Sequence, residues 1–134
     1  MTETLSFTAS DGLSLAYDTD DFTDPWKKAP TLLLLHAAMG SARRYFAWVP
    51  HLARDLRVVR LDLRGHGRSQ VPPAEQTLTL DRLVLDVAEL LDHLGVPQAH
   101  IVGNSAGGTC DRPWPRRSTR TTRQSRARCG IHAK

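Results

Sequence analysis

Ser105 stands in Gly103-Asn104-Ser105-Ala106-Gly107, a G-x-S-x-G run directly after the apolar stretch 99–102. A hydroxyl at the tip of a tight strand-to-helix turn is the sequence form of a nucleophile elbow. Gly103 and Gly107 let the chain bend there and approach its neighbours closely. Acyl transfer by such a serine needs a general base, a third group to orient that base, and paired backbone N–H donors for the developing oxyanion. Ala106 N–H, at the start of the following helix, would be one such donor. Without a base, Ser105 is only a small residue in a turn, and both readings stay open at this level.

Two histidines could supply proton chemistry. His36 ends an apolar run and reads either as a base or as a satisfied imidazole that fixes the turn 37–40; the second fits its place better. His66, between Gly65 and Gly67, reads as a structural or supporting group. His51, His93, His100 and His132 have no acid at suggestive spacing. There is no H-E-x-x-H and no zinc spacing, so no metal is expected. The glycines around His66 match neither a dinucleotide fingerprint nor a phosphate loop, so no cofactor is expected.

These residues need elements to hold them. Leu5–Ala9 and Leu13–Tyr17 alternate apolar and polar residues around Asp11-Gly12, which predicts a hairpin. The stretch 18–30, with four aspartates, two prolines and two lysines, predicts a surface loop, with Trp26 as a lid over the sheet edge. Thr31–His36, T-L-L-L-L-H, is apolar without alternation, as in a strand covered on both faces. Ser41 is expected to cap a helical stripe of Tyr45, Phe46, Val49 and Leu52, with a break or a fresh start near Pro50. Arg57–Leu63 predicts the next parallel strand, followed by the glycine-spaced loop 64–69. Thr79 is expected to cap a helix whose apolar face carries Leu80, Leu83, Val84, Val87, Leu90, Leu91 and Leu94, with Asp81, Arg82, Asp86, Glu89 and Asp92 away from it. Gly95 and Pro97 stop that helix, and Ala99–Gly103 is the next buried strand. Strands alternating with helical stripes predict an α/β fold: a mostly parallel sheet with flanking helices and an N-terminal hairpin.

The pattern fails from Thr109. Of the 134 residues, with net charge +4, positions 110–134 carry eight Lys and Arg against Asp111 alone. The remainder of the chain is slightly acidic, so the basic balance belongs to the tail and does not mark the domain as a nucleic-acid binder. Residues 1–108 therefore read as an incomplete α/β domain and 109–134 as a basic, Arg/Pro-rich tail expected to be disordered. The tail could touch polyanions non-specifically, but with Trp114 as its one aromatic it offers no stacking platform, and specific nucleic-acid binding is not expected. The simultaneous loss of period and jump in arginine suggest a slipped reading frame just after Gly108. Cys110 and Cys129 form no metal or redox motif. The N-terminus has no signal-peptide pattern and no window is apolar enough to span a membrane, so a cytoplasmic location is the expectation.

Three motifs in order resemble the N-terminal half of an α/β-hydrolase, in the branch of esterases, enol-lactonases and carbon–carbon bond hydrolases. They are His36-Ala37-Ala38-Met39-Gly40 after a buried strand, Asp62-Leu63-Arg64-Gly65-His66-Gly67-Arg68-Ser69, and Gly103-Asn104-Ser105-Ala106-Gly107-Gly108. The resemblance spans residues 5–108 and implies a truncated α/β-hydrolase fold. It implies Ser105 as nucleophile, Ala38 N–H as the second oxyanion donor beside Ala106, and His36, Gly40, Gly103 and Gly107 as the supporting turns. Serine at position 105, where the dehalogenase branch carries aspartate, implies hydrolysis of a small carbonyl substrate, an ester or lactone, through an acyl-enzyme; perhydrolases keep the same constellation. Ala37 stands where the family often has glycine. The triad acid and histidine follow later strands in this family. Neither Asp111 nor His132 fits those places in the 29 residues after Ser105, so this chain alone is expected to be inactive. The alternative is a non-enzymatic fragment or interaction protein whose basic tail binds polyanions.

Overall fold

In the computed structural model, which describes residues 2–105 and 107, the chain opens with the antiparallel pair Thr2–Thr8 (β1) and Ser14–Asp20 (β2). Gly12 turns the hairpin at φ +87°, a conformation glycine adopts without a Cβ clash. Thr31–Leu35 (β3), Arg57–Leu61 (β4) and Ala99–Gly103 (β5) complete a five-stranded sheet in the order β1-β2-β4-β3-β5. β4 pairs antiparallel with β2, while β3 lies parallel between β4 and β5. The α/β expectation, hairpin included, holds.

The unbroken leucine run of β3 is explained by two cores. Leu33 and Leu35 pack with Phe7, Leu15, Val59 and Leu61 beneath helix α2, Leu80–His93. Leu32 and Leu34 face the other way, onto Tyr45, Val49 and Ala53. All five β3 residues are buried, whereas β5 is only half-buried, with His100 exposed, because among the described residues it has a strand partner on one side alone. Helix α2 begins where Thr79 Oγ accepts the Arg82 N–H at 3.2 Å. Thr79→Ala is expected to cost about 1 kcal/mol, measured as a shift of the urea midpoint at unchanged slope.

Five expectations are corrected. Strand β2 continues to Asp20, so Asp18 and Asp20 are buried in the sheet and not in a surface loop, and guanidinium partners make that possible. Trp26 is 80% exposed and covers nothing. The segment after Ser41 opens as a 3-10 helix, Ala42–Trp48, and, with the expected fresh start near Pro50, continues as a single α turn, Val49–Leu52 (α1). At three residues per turn Ala42 and Tyr45 share a face, and Phe46 swings out to 66% exposure. Ser41 makes no side-chain cap; Asp62 Oδ1 takes the Ala42 N–H instead, at 2.7 Å. Last, Asp86 does not fall away from the core: it is 1% exposed, against Arg64. Residues 108–134, and with them the expected tail, lie outside the described residues.

Candidate active site at the carboxyl end of the sheet

The turn 36–40 follows β3, the loop 62–69 follows β4 and the run 104–107 follows β5, so all three motifs meet at the carboxyl edge of the parallel strands. From β3 the chain moves to β4 on one side, and through α2 it returns to β5 on the other. A crevice outside the strand ends, where strand order reverses, is where open α/β sheets bind ligands.

Ser105 is exposed and sits at φ +51°, one of two non-glycine residues with positive φ among those described; the other is Met39, at +63°, in the facing turn. Such backbone is costly for a residue with a Cβ and persists only where surrounding structure enforces it. The Leu35 carbonyl at the end of β3 supplies the constraint. It accepts Asn104 N–H at 3.1 Å and Tyr45 O–H at 2.8 Å. Gly107 is buried against the same place: a Cβ there would meet Leu35 O at 2.6 Å, Leu35 Cβ at 2.8 Å and His36 O at 3.0 Å. Gly103 pairs across the ladder with Leu35. The run around Ser105 is thus clamped to the start of the 36–40 turn.

Within that turn His36 is fully buried. Its Nδ1 lies 2.7 Å from Ala37 O and its Nε2 accepts Leu63 N–H at 3.0 Å, so both ring nitrogens are engaged with backbone. Burial pushes its pKa down, the Ala37 carbonyl opposes that, His66 adds to it and Asp62 opposes it. The imidazole thus ties the turn to the first residues after β4 through its two ring nitrogens. Gly40 closes the turn by donating its N–H to Ala37 O at 3.0 Å; a Cβ there would stand 3.0 Å from that oxygen and 3.2 Å from His36 Nδ1. Ala38 is exposed. Ala106 lies outside the described residues.

The supporting ion pairs are the part that sequence reasoning missed. Asp62, 1% exposed, accepts Ala42 N–H and the Arg68 guanidinium, tying the 3-10 helix to the loop after β4. Gly67, at φ +52°, passes so close that a Cβ would collide with Asp62 Oδ1. Arg68 continues to Asp18 at 2.8 Å, and Arg60 holds Asp20 at 2.9 Å. Burial works against ionised Asp18, but hydrogen bonds from Arg68 and Thr4 outweigh it and hold its carboxyl below the usual range. The signal in the sequence was the polar spacing of Arg60, Asp62, Arg64 and Arg68 within and just after a buried strand. Among the described residues no three His, Cys, Asp or Glu side chains converge as metal ligands, and no helix is long and apolar enough to cross a membrane.

The profile of a family described as alpha/beta hydrolase fold matches residues 30–111. Epoxide hydrolase 4 of Mus musculus is 37% identical over 82 residues, covering 59% of this chain and 22% of that protein. Among solved structures, a hydrolase from Pseudomonas aeruginosa PA01 superposes with TM-score 0.73 at 41% identity, over 81% of this chain and 39% of the other. The enol-lactonase from Burkholderia xenovorans LB400 superposes with TM-score 0.72 at 29% identity, over 80% and 39%. The chain thus spans about a fifth of the length of that curated relative, 22%, and 39% of each solved structure.

Proposed function

The chain belongs to the alpha/beta hydrolase fold family, and from that premise we propose that in the intact parent protein it supplies the nucleophile and oxyanion donors of a serine hydrolase for a small ester or lactone. The observation carrying this reading is Ser105, exposed at φ +51° and clamped beside the turn that contains Ala38. Its Oγ attacks the carbonyl carbon and loses its proton to a general base. The oxygen that becomes negative is held by Ala38 and Ala106 N–H. The alkoxide leaves with a proton, and water then releases the acid from the acyl-enzyme. Both ring nitrogens of His36 are taken up by backbone groups, which supports the family order in which acid and base follow later strands of the parent, and on this reading the chain by itself is expected to leave ordinary esters unhydrolysed.

The relatives named above include an epoxide hydrolase and an enol-lactonase, and chemistry separates the two. Ring opening of an epoxide by serine leaves an ether, which water does not cleave under mild conditions. Attack on an ester or lactone leaves an acyl-serine, which water does cleave. Serine at position 105 therefore favours the carbonyl substrate.

A fluorophosphonate probe tests the assignment. Slow labelling of the full chain at Ser105, the residual reactivity that oxyanion donors allow without a base, abolished in Ser105→Ala, is the expected result; labelling that persists in Ser105→Ala overturns it. A second reading rests on the eight Lys and Arg of positions 110–134: a non-enzymatic interaction protein that contacts polyanions. No labelling, together with salt-sensitive duplex binding lost on deleting 110–134, would favour that reading.

A further inference from the structure

The buried imidazole of His36 decides where the Ala38 amide points. Leu63 N–H can only donate, so Nε2, 3.0 Å away, is the unprotonated ring nitrogen. The ring proton therefore sits on Nδ1 and is donated to the Ala37 carbonyl at 2.7 Å. That carbonyl is also held by Gly40 N–H. No peptide bond among the described residues is cis, and in a planar trans peptide the N–H of residue 38 points opposite to the carbonyl of residue 37. With the carbonyl turned onto a fully buried ring, Ala38 N–H is turned away from it, toward the exposed side of the turn.

We propose that His36 is a positioning residue for the Ala38 oxyanion donor, acting only as the neutral Nδ1–H tautomer that Leu63 N–H selects, so that acid disables the donor. The proposal rests on the hydrolase reading for the role of Ala38 N–H, but not for its orientation. A second proton, on Nε2, would face Leu63 N–H and drive the ring out of that contact, loosening the tie between the 36–40 turn and the loop after β4. The groups facing His36 are consistent with a neutral ring. His66 comes from the loop after β4, with ring centroids 5.3 Å apart, and a charge there would oppose one on His36. Asp62 favours the charged ring, but its carboxylate is already engaged by Arg68 and Ala42 N–H. Gly107, from the run after β5, brings no charge. Burial is the largest influence and places the folded pKa below the ordinary 6.5. The folded chain then binds fewer protons than the unfolded one, so the His36 contribution to stability is complete above 6.5 and is lost as the pH falls through the folded value.

Nitrogen-15 NMR on the full chain tests this. Well above pH 6.5, His36 is expected to carry its proton on Nδ1 and none on Nε2. As the pH is lowered, the Ala38 and Leu63 amide resonances are expected to move with the His36 titration. Over the same range the probe labelling rate at Ser105 is expected to fall about tenfold or more. In His36→Gln, whose amide offers a donor and an acceptor and takes up no proton, the Ala38 resonance is expected to stay still and the labelling rate to fall less. A proton found on Nε2, or an Ala38 amide that ignores the His36 titration, overturns the proposal on the unsubstituted chain, whether or not His36→Gln folds. If both NMR signatures appear and Ser105 never labels, the nucleophilicity of Ser105 in this chain falls and the orientation of Ala38 stands. If Ser105 labels and either signature is missing, the reverse holds.

Discussion

Asp86→Ala is expected to destabilise the fold by about 3–5 kcal/mol, because it strands a buried guanidinium. Arg64 is 3% exposed and lies in the loop after β4; Asp86 is 1% exposed on α2. They meet through two parallel bonds of 2.6 and 2.7 Å, the fork geometry that arginine offers a carboxylate. Arg82 adds a bond to the same carboxylate at 2.8 Å, and Arg64 reaches on to Asp11 at 2.8 Å. The hydrogen bond that Arg64 donates to Asp86 holds the Arg64 pKa above its usual value against the penalty of burial; without Asp86 the guanidinium still stays charged, because arginine does not deprotonate in proteins. Asp11 alone, at 24% side-chain exposure, would be left to balance it. Urea unfolding of the single variants and of Arg64→Met with Asp86→Leu measures the effect. The double variant is expected to lose much less than the two singles together, since apolar replacement removes desolvation along with attraction. A loss below about 1 kcal/mol in Asp86→Ala would show that the pair behaves as an exposed one.

Gly107→Ala is expected to separate the fate of the site from that of the fold. The added Cβ would stand 2.6 Å from Leu35 O and 2.8 Å from Leu35 Cβ. Neither is the free end of a flexible side chain. Leu35 belongs to β3, and its carbonyl is held by Tyr45 O–H and Asn104 N–H. β3 is paired on both sides, with β4 and β5, whereas among the described residues β5 is paired on one side alone, so the run after β5 is what gives way. An overpacked contact of this kind costs about 1–3 kcal/mol, read as a lowered urea midpoint. Displacing a reacting atom by about 1 Å can cost about a hundredfold in rate, so on the hydrolase reading probe labelling at Ser105 is expected to fall on that order. Unchanged labelling with a lowered midpoint would mean that Gly107 serves packing alone and does not place the hydroxyl.

Much of the architecture was legible from one-dimensional pattern. The leucine run of β3 announces a strand with two buried faces, and Asp11-Gly12 announces the hairpin. Thr79, the apolar stripe and Gly95 mark both ends of α2, with Gly95 at φ +64°. These signals are local: they depend on side-chain period and on backbone preferences within a few residues. The turns at 36–40, 62–69 and 103–107 were legible for a related reason, since glycines and small residues at fixed spacing suit sharp turns at strand ends.

What the chain order alone could not determine is which distant charge stabilises which. Asp18, Asp20 and Asp86 read as solvent-facing by composition and helical phase, and Ser41 reads as a cap. In the folded chain arginines from β4 and the loop after it come to lie beside those aspartates, and Asp62 takes over the Ala42 N–H from Ser41. A carboxylate is buried only where a guanidinium or backbone donor reaches it, and that partner is 20 to 42 positions away in sequence for Asp62–Ala42, Asp86–Arg64 and Asp18–Arg60. The direction of the Ala38 amide has the same character: it depends on the Leu63 N–H that selects the His36 tautomer, a contact made only when the ends of β3 and β4 lie side by side. Residue types and spacing thus determined the strands, the turns and the hydroxyl at 105. Tertiary structure decided which polar groups are buried and how the donors around the site are aimed, because partners far apart in sequence must first be brought within hydrogen-bonding distance.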